Sequence, residues 1–466
     1  MGDPMSDTAV VWFRRDLRVR DQPTFLAAAG AARRSLALFV LDPALLGPSG
    51  PARRTFLYRS LRALDRDLGG RLLVVRGDPA DVVPAVVACV DAATVHVAAD
   101  FGPYGVRRDE AVEKALVAEG LELVRTGSPY AVAPGRVRKG DGEGFRVFTP
   151  FRRAWAEHGW RAPADTDAST VTWLDPATRR GGPRAVSVPE DEQVDADLPD
   201  AGEDAALARW HEFLDAGVSG YGSDRNRPDR EGTSRMSVYL KYGVIHPRTM
   251  LADLASRRSS STETYRTELA WREFYADVLF QRPDSARANY DSAFDALPLA
   301  SGREAQVRFD AWCEGRTGYP IVDAGMRQLR EQAWMHNRLR MIVASFLVKD
   351  LHLPWWRGAR HFMKLLVDGD LASNQHGWQW TAGSGTDPAP YFRIFNPVLQ
   401  GEKFDPDGEY VRRFVPELRG VAGKAVHQPW MLPGGVPDGY PEPIVDHKAE
   451  RQEALARYER VKAARG

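Results

Sequence analysis

The hydrophobic period of this chain changes once, near residue 205, and that change limits the folds open to it. Before it, short β-branched apolar runs alternate with amphipathic stretches. The runs are AVVWF (9–13), SLALFVLD (35–42), RLLVVRG (71–77), TVHVAAD (94–100) and LELVRTG (121–127). Between the second and third, Leu57, Leu61, Leu64 and Leu68 fall on one helical stripe. Apolar strands separated by helices are the pattern of a parallel sheet covered on both faces. The expectation is an α/β N-terminal domain with a five-stranded, doubly wound parallel sheet. Ligands of such sheets bind beyond the carboxyl ends of the strands, where Asp42 and Asp100 fall. No G-x-G-x-x-G follows the first run, so a Rossmann dinucleotide site is not supported. From about residue 205 to 419 the spacing is helical, as in ETYRTELAWREFYADVLF (263–280). A charged helix, HKAERQEALARYERVKAA (447–464), closes the chain. The expected organisation is an α/β domain at 1–135, a long linker at 136–204 and an all-α domain at 205–466.

At 466 residues the chain has room for two or three domains. The two cysteines, Cys89 and Cys313, lie far apart and lack metal-ligand company, which argues against disulfide or zinc chemistry and suits a reducing cytosol. No run of about eighteen apolar residues occurs, and MGDPMSDTAVVWF has no leader pattern. A cytoplasmic protein without a membrane span is expected. The net charge of zero hides an asymmetry. Residues 161–205 hold four Lys/Arg against eleven Asp/Glu and five prolines, the composition of an exposed linker. Residues 324–364 hold eight Lys/Arg against two Asp/Glu, either a solvated face or one turned toward phosphates.

Four segments of the helical half carry chemistry. Tyr221 precedes an arginine-rich loop that leads into EGTSRMS (231–237), where Thr233, Ser234 and Ser237 offer hydroxyls near a helix start. That is a competent phosphate cradle, though a plain N-cap reads the same way. TELAWREFY sets Glu268, Trp271 and Arg272 on one helical face, suited to stacking and hydrogen bonding a flat heterocycle. WMHNRLRM adds Asn337, Arg340 and Met341. DGDLASNQHGWQW adds Asp368, Asp370, Asn374 and Trp378, the last two sharing a helical face. Arg340 and Asp368 are candidates for a buried ion pair, which stabilises a fold only weakly and so hints at use. Beside a flavin ring the pair would steady a reduced, anionic state, and Asn374 would accept from a protonated N5.

These motifs, quoted together, resemble the photolyase/cryptochrome superfamily, most closely its class I cyclobutane pyrimidine dimer (CPD) members. The similarity runs from VVWFRRDLRVRD (10–21) to GKAVHQPW (423–430) and includes GYPIVDAGMRQL and GTDPAPYFRIFNP. The resemblance implies a helical domain holding FAD and light-driven electron transfer to a dimer flipped out of UV-damaged DNA. It places FAD contacts on Tyr221, Thr233, Ser234, Arg235, Met236, Ser237, Trp271, Arg272, Asn337, Arg340, Asp368, Asp370 and Asn374. The lesion pocket would use Glu268, Trp271, Asn337, Met341 and Trp380, with Arg225 and Arg338 on DNA phosphates. Glu268 would steady the dimer's radical anion. The protein is expected to act as a monomer.

One departure stands out. The family usually photoreduces FAD through three tryptophans. Trp378 matches the flavin-proximal member and Trp355 the middle one, but the surface position is Gly302; Trp312 matches a different family tryptophan. Impaired or rerouted photoreduction is expected. For the second, light-harvesting chromophore, PARRTFLYRSL and DFGPYGVRRD resemble the deazaflavin-binding members, with Arg53, Asp100 and Tyr104 near it; methenyltetrahydrofolate or no antenna are the alternatives. Three rivals compete for function. A signalling cryptochrome is disfavoured by Glu268, Met341 and Trp380. Repair of the (6-4) photoproduct is disfavoured by Met335-His336-Asn337, which lacks a histidine pair. A flavin-free nucleic-acid-binding protein would be colourless.

Overall fold

The computed structural model describes residues 6–388 and 390–465. Residues 1–5, part of the segment read as lacking a leader, lie outside the described residues. Among the described residues no helix is long and apolar enough to cross a membrane.

All five expected strands form: β1 (Ser6–Phe13), β2 (Ala32–Leu41), β3 (Leu72–Arg76), β4 (Thr94–Val97) and β5 (Glu122–Arg125). They make one parallel sheet in the order β3-β2-β1-β4-β5. Period-two alternation splits each strand between two cores. Val10 and Trp12 of β1 face one side, with Leu36, Leu38, Val95 and Val97, under helices α3 (Pro79–Cys89) and α4 (Pro103–Ala118). Val11 and Phe13 face the other side, under α1 (Pro23–Ala31) and α2 (Pro51–Asp67). The second core does not stop at the sheet. It continues through Trp210, Phe213, Tyr221, Tyr239, Tyr265 and Phe274 into the helical half. The two domains therefore share one apolar core.

Polar contacts staple the same junction. The turn after β1 sends Arg15 to Asp370 at 2.8 Å, Arg18 to the Gly243 carbonyl at 3.1 Å, and Asp21 to Arg248 at 2.6 Å. Gly243 ends a helix at φ +65°, and a Cβ there would lie 1.9 Å from the Arg15 carbonyl oxygen. Both its backbone conformation and its clearance call for glycine.

Residues 161–202 hold only short turns, as their composition suggests, and a helix begins at Glu203, but the stretch is docked, not free. Trp173 packs edge-on against Phe25 at 5.1 Å. Asp191 and Glu192 pair with Arg59 and Arg54 on α2. Glu203, 3% exposed, accepts from the Val19 and Arg20 amides. Within 136–204 there is also a helix, α5 (Phe148–His158), whose Trp155 indole donates to buried Glu273 at 2.6 Å.

The helical half supplies α6 (Ser237–Tyr242), α7 (Ser260–Gln281), α8 (Gly302–Glu314), α9 (Asn337–Ser345), α10 (Trp355–Leu365), α11 (Leu371–Ala382) and the closing α12 (His447–Arg465). A second large core gathers Trp312, Tyr319, Leu339, Phe346, Trp355, Phe362, Trp378 and Tyr410.

Candidate active site

Between these two cores lies a cavity of about 500 Å³, within the range that holds a cofactor-sized ligand. One wall is Met236, Leu240, Tyr265, Leu269 and Trp271; the other is Met335, Ala344, Phe362, Leu366 and Trp378. Its aromatic, apolar body suits a flat heterocycle.

One end is hydroxylated and cationic. Ser237 opens α6, and Lys241 lies one turn on, so both line the cavity. Burial lowers the Lys241 ammonium to about 7, Arg15 adding repulsion and Asp370 opposing it. An anion placed there would restore its charge. Ser234 shares a hydrogen bond with Tyr265 at 2.8 Å. Asp370 caps α11 by accepting from the Ser373 amide and receives Arg15. Burial alone would raise its carboxyl, but Arg15, then Lys241 and Arg272, hold it far below the ordinary range.

The opposite wall carries the ion pair expected from sequence. Arg340 donates to Asp368 at 2.7 Å and to the Met335 carbonyl at 2.8 Å. The Asp368 side chain is 1% exposed, and among the described residues its Oδ1 has no partner. Asn374 spends its amide N–H groups on the Ala359 carbonyl (3.1 Å) and Gln375 (2.9 Å), leaving its oxygen as the group it can offer a ligand N–H. Gly377 sits in mid-helix on the same wall; a Cβ built there meets nothing within 4 Å. An orphaned buried acceptor, a free amide oxygen, a cationic end and a cleared glycine together fit FAD: flat ring, N–H edge and phosphates.

At the mouth, Glu268 pairs with Arg225 at 2.7 Å. Burial raises the Glu268 carboxyl above its usual value, with Arg225 opposing. Trp271 is held by stacking on Phe148, with centroids 3.6 Å apart. Asn337, Met341 and Trp380 complete the rim. Arg338 donates to Asn226 at 2.6 Å and lies over Phe404 at 4.4 Å.

Three expected residues are not on the cavity wall. Thr233 presents its carbonyl to Arg209 at 3.2 Å. Arg235, at φ +57°, turns outward over Trp334 and pairs with Glu231. Trp355 lies outside the wall, buried at 3% exposure. Lys241, Tyr265, Tyr275 and Trp334 line the cavity without having been singled out. Lys241 was findable, being four residues after Ser237.

The basic stretch 324–364 does not form one phosphate-facing surface. Arg327 pairs with Glu417, Lys349 is buried over Tyr391, and Arg357 lies over Phe309; Arg338 and Arg340 reach the cavity. Of the residues assigned to the antenna, Asp100 and Tyr104 meet at Arg108, which pairs with the first and lies 6.0 Å over the ring of the second. Arg53 bonds the Pro48 carbonyl and Met363, Tyr104 donates to Asp42, and Asp100 pairs with Arg108.

Residues 9–169 match the family described as DNA photolyase, and residues 265–460 match the FAD binding domain of DNA photolyase. A deoxyribodipyrimidine photo-lyase of Agrobacterium fabrum is 39% identical over 472 residues, spanning 97% of this chain and 98% of that protein. The structure of a bacterial class III photolyase from Agrobacterium tumefaciens superposes with a TM-score of 0.87 at 37% identity, covering 99% of both chains. A Synechocystis cryptochrome superposes with the same TM-score at 28% identity, covering 98% of this chain and 100% of that one.

Proposed function

Because the chain belongs to the DNA photolyase family, we infer that its cavity seats a flipped-out cyclobutane pyrimidine dimer against FAD. The protein is a deoxyribodipyrimidine photo-lyase, a lyase that repairs pyrimidine dimers in DNA. The carrying observation is that one cavity brings Glu268, Trp271, Met341 and Trp380 together with Asn374 and the Arg340–Asp368 pair. FAD, when bound and reduced, supplies on absorbing light the electron that opens the cyclobutane ring.

The residues do the rest. Asp368 Oδ1 and the Asn374 oxygen would accept the ring N–H groups of the flavin, and Arg340 would set a cation beside them. Ser237 and Lys241 hold phosphate oxygens. Trp271 and Trp380 stack on the extruded bases, offsetting an unstacking cost of a few kcal/mol that a poorly paired lesion lowers. Burial raises the Glu268 carboxyl with Arg225 opposing, and its protonated form donates to a pyrimidine carbonyl as negative charge builds there. Arg225 and Arg338 bind flanking phosphates, so affinity falls with salt with a slope of about −0.9 per contact.

Finer assignments rest on the sequence motifs. These are membership of class I, a cytoplasmic monomer, and a deazaflavin antenna near Arg53, Asp100 and Tyr104. An absorbance band beyond that of FAD in the purified protein supports the antenna; its absence, or a folate spectrum, removes it. The function itself is tested by giving reduced protein a thymine-dimer oligonucleotide in light and in darkness. Recovery of intact bases only in light is expected. No recovery in light favours the cryptochrome reading.

A further inference from the structure

The position where the family resemblance calls for a surface tryptophan holds no ring. Gly302 opens α8 at φ +85°, and a Cβ built there meets nothing within 4 Å. An electron drawn inward from solvent must enter elsewhere. Starting from Trp378, 3% exposed, the packing offers two ways out.

The first runs through Trp312, whose ring meets Trp378 edge-on at 6.0 Å. It ends there. Trp312 is 0% exposed, and its indole N–H is committed to the Val343 carbonyl at 3.1 Å. Its other ring neighbours are Phe309, Phe362 and His361. Phenylalanine is hard to oxidise. The Arg357 guanidinium, 3.9 Å over Phe309, further opposes a positive hole.

The second runs along α10. A Cβ added to Gly358 would lie 2.1 Å from Trp378 Cη2, so the indole edge rests on the α10 backbone. Trp355 is three residues back on the same face. Its ring meets that of Trp356 edge-on at 6.0 Å and 82°. Trp356 is half-buried. Among the described residues its indole N–H has no acceptor and is not one of the buried unpaired atoms, so it opens to solvent.

We propose that Trp356 is the terminal electron donor of photoreduction in this chain, reached from Trp378 through Trp355. The inference rests on the reading of Trp378 as the flavin-proximal donor. Trp378 gives one electron to the photoexcited oxidised cofactor, Trp355 refills Trp378, and Trp356 refills Trp355. The Trp356 radical cation then releases its indole proton to water, which keeps the electron from returning. A thiol in solution gives Trp356 back one electron and one proton, and two oxidised thiols end as a disulfide.

The test is blue-light reduction of the oxidised holoprotein with dithiothreitol. Trp356→Phe slows it by about tenfold or more, equivalent to at least about 1.4 kcal/mol in the effective barrier. Trp356→Tyr, oxidisable with loss of a proton, recovers much of the rate. Trp312→Phe leaves it unchanged. Transient absorption gives a second readout: a long-lived deprotonated tryptophan radical in the parent protein and none in Trp356→Phe. Hydroxyl-radical footprinting in the dark gives a third, labelling Trp356 but not Trp312 or Trp355. Wild-type reduction by Trp356→Phe, with Trp378→Phe blocked, overturns the proposal. Undiminished reduction by Trp378→Phe overturns the Trp378 reading beneath it.

Discussion

The two places where this fold can receive a ligand are built on opposite principles. Beyond the sheet, the charges close on one another: Arg14 on Asp109, Arg108 on both Asp100 and Asp109, and Tyr104 on Asp42. Around the helical cavity the polar groups are held back. Among the described residues Asp368 keeps an oxygen without a partner, Asn374 keeps its carbonyl, and burial lowers the Lys241 ammonium to about 7. Since an unsatisfied buried polar group costs about 1–3 kcal/mol, the Asp368 oxygen kept beside the cavity marks a place shaped for a guest. The sheet end braces one domain against the other, and the cavity waits for a ligand.

The sharpest way to break this contrast is Gly377→Leu. The new side chain enters the open space of the cavity, while replacing a mid-helix glycine removes a penalty of about 1 kcal/mol. Flavin affinity should fall by more than about 100-fold, a change of roughly 2.7 kcal/mol, with the melting temperature of the flavin-free protein held or raised. Flavin absorbance and thermal melting check it. Tyr104→Phe, made at the sheet end, should keep its flavin; loss there would show that the two regions are not independent.

The next effect is on stability. Arg340→Met strands the Asp368 carboxylate, whose side chain is 1% exposed, and should cost about 3 kcal/mol in urea unfolding. Arg20→Met removes a pair with Asp204 in which both side chains are largely exposed, and should stay within about 0.5 kcal/mol of the parent. Equal losses would remove the distinction between cavity and surface charges.

Glu268 sharpens the comparison by pH. Burial raises its carboxyl and Arg225 lowers it, so its protonated fraction falls as pH climbs through that raised value. If the proton is what the lesion receives, repair by pre-reduced protein declines over the same interval. Arg225→Met should move the decline to higher pH. Glu268→Gln should flatten it at a cost of between about 10- and 100-fold, the worth of a charge-assisted hydrogen bond. Single-turnover repair across the range decides; a decline that stays put in Arg225→Met rejects the assignment.

How much of this was legible follows from what each residue needed to know. The strands were legible because burial on both faces demands unbroken apolar runs, and Val10 to Phe13 supply one. The start of β2 was missed because Arg33 and Arg34 are exposed and carry no apolar signal. The motifs named Glu268, Asn374 and the Arg340–Asp368 pair, and the fold brings them around one cavity. Trp334 and Tyr275 depend on how distant helices meet, which no local period records. The docking of 161–205 was hidden for the same reason, since Trp173 has no periodic company. The charge sum over 324–364 misled because a window total has no direction: Arg327, Lys349 and Arg357 face three different neighbours.

Arg15→Met probes the seam between the regions. Asp370 lies far below its ordinary range, although burial alone would raise it, because Arg15 heads the charges that favour its ionised form. A depressed carboxyl contributes stability above its unfolded value near 4 and loses it as pH falls toward the folded one. The variant should therefore be less stable by about 1–2 kcal/mol at neutral pH, with the gap to the parent closing in acid. Unfolding at neutral pH and below about pH 4 gives the comparison, and a gap that widens in acid contradicts the sign.

The smallest effect concerns the acidic segment. Asp191 bonds both Arg59 and Arg62 at the edge of α2, but all three side chains are about a third exposed. Solvent screening and side-chain entropy leave such contacts worth about 1 kcal/mol or less. Asp191→Asn should accordingly shift unfolding by under about 1 kcal/mol, and by less in high salt. Trp173→Ala, which removes an aromatic packed on Phe13 and Phe25, should cost about 3 kcal/mol. If the charge change proved the costlier of the two, electrostatics and not the half-buried indole would be what fastens this segment to the sheet.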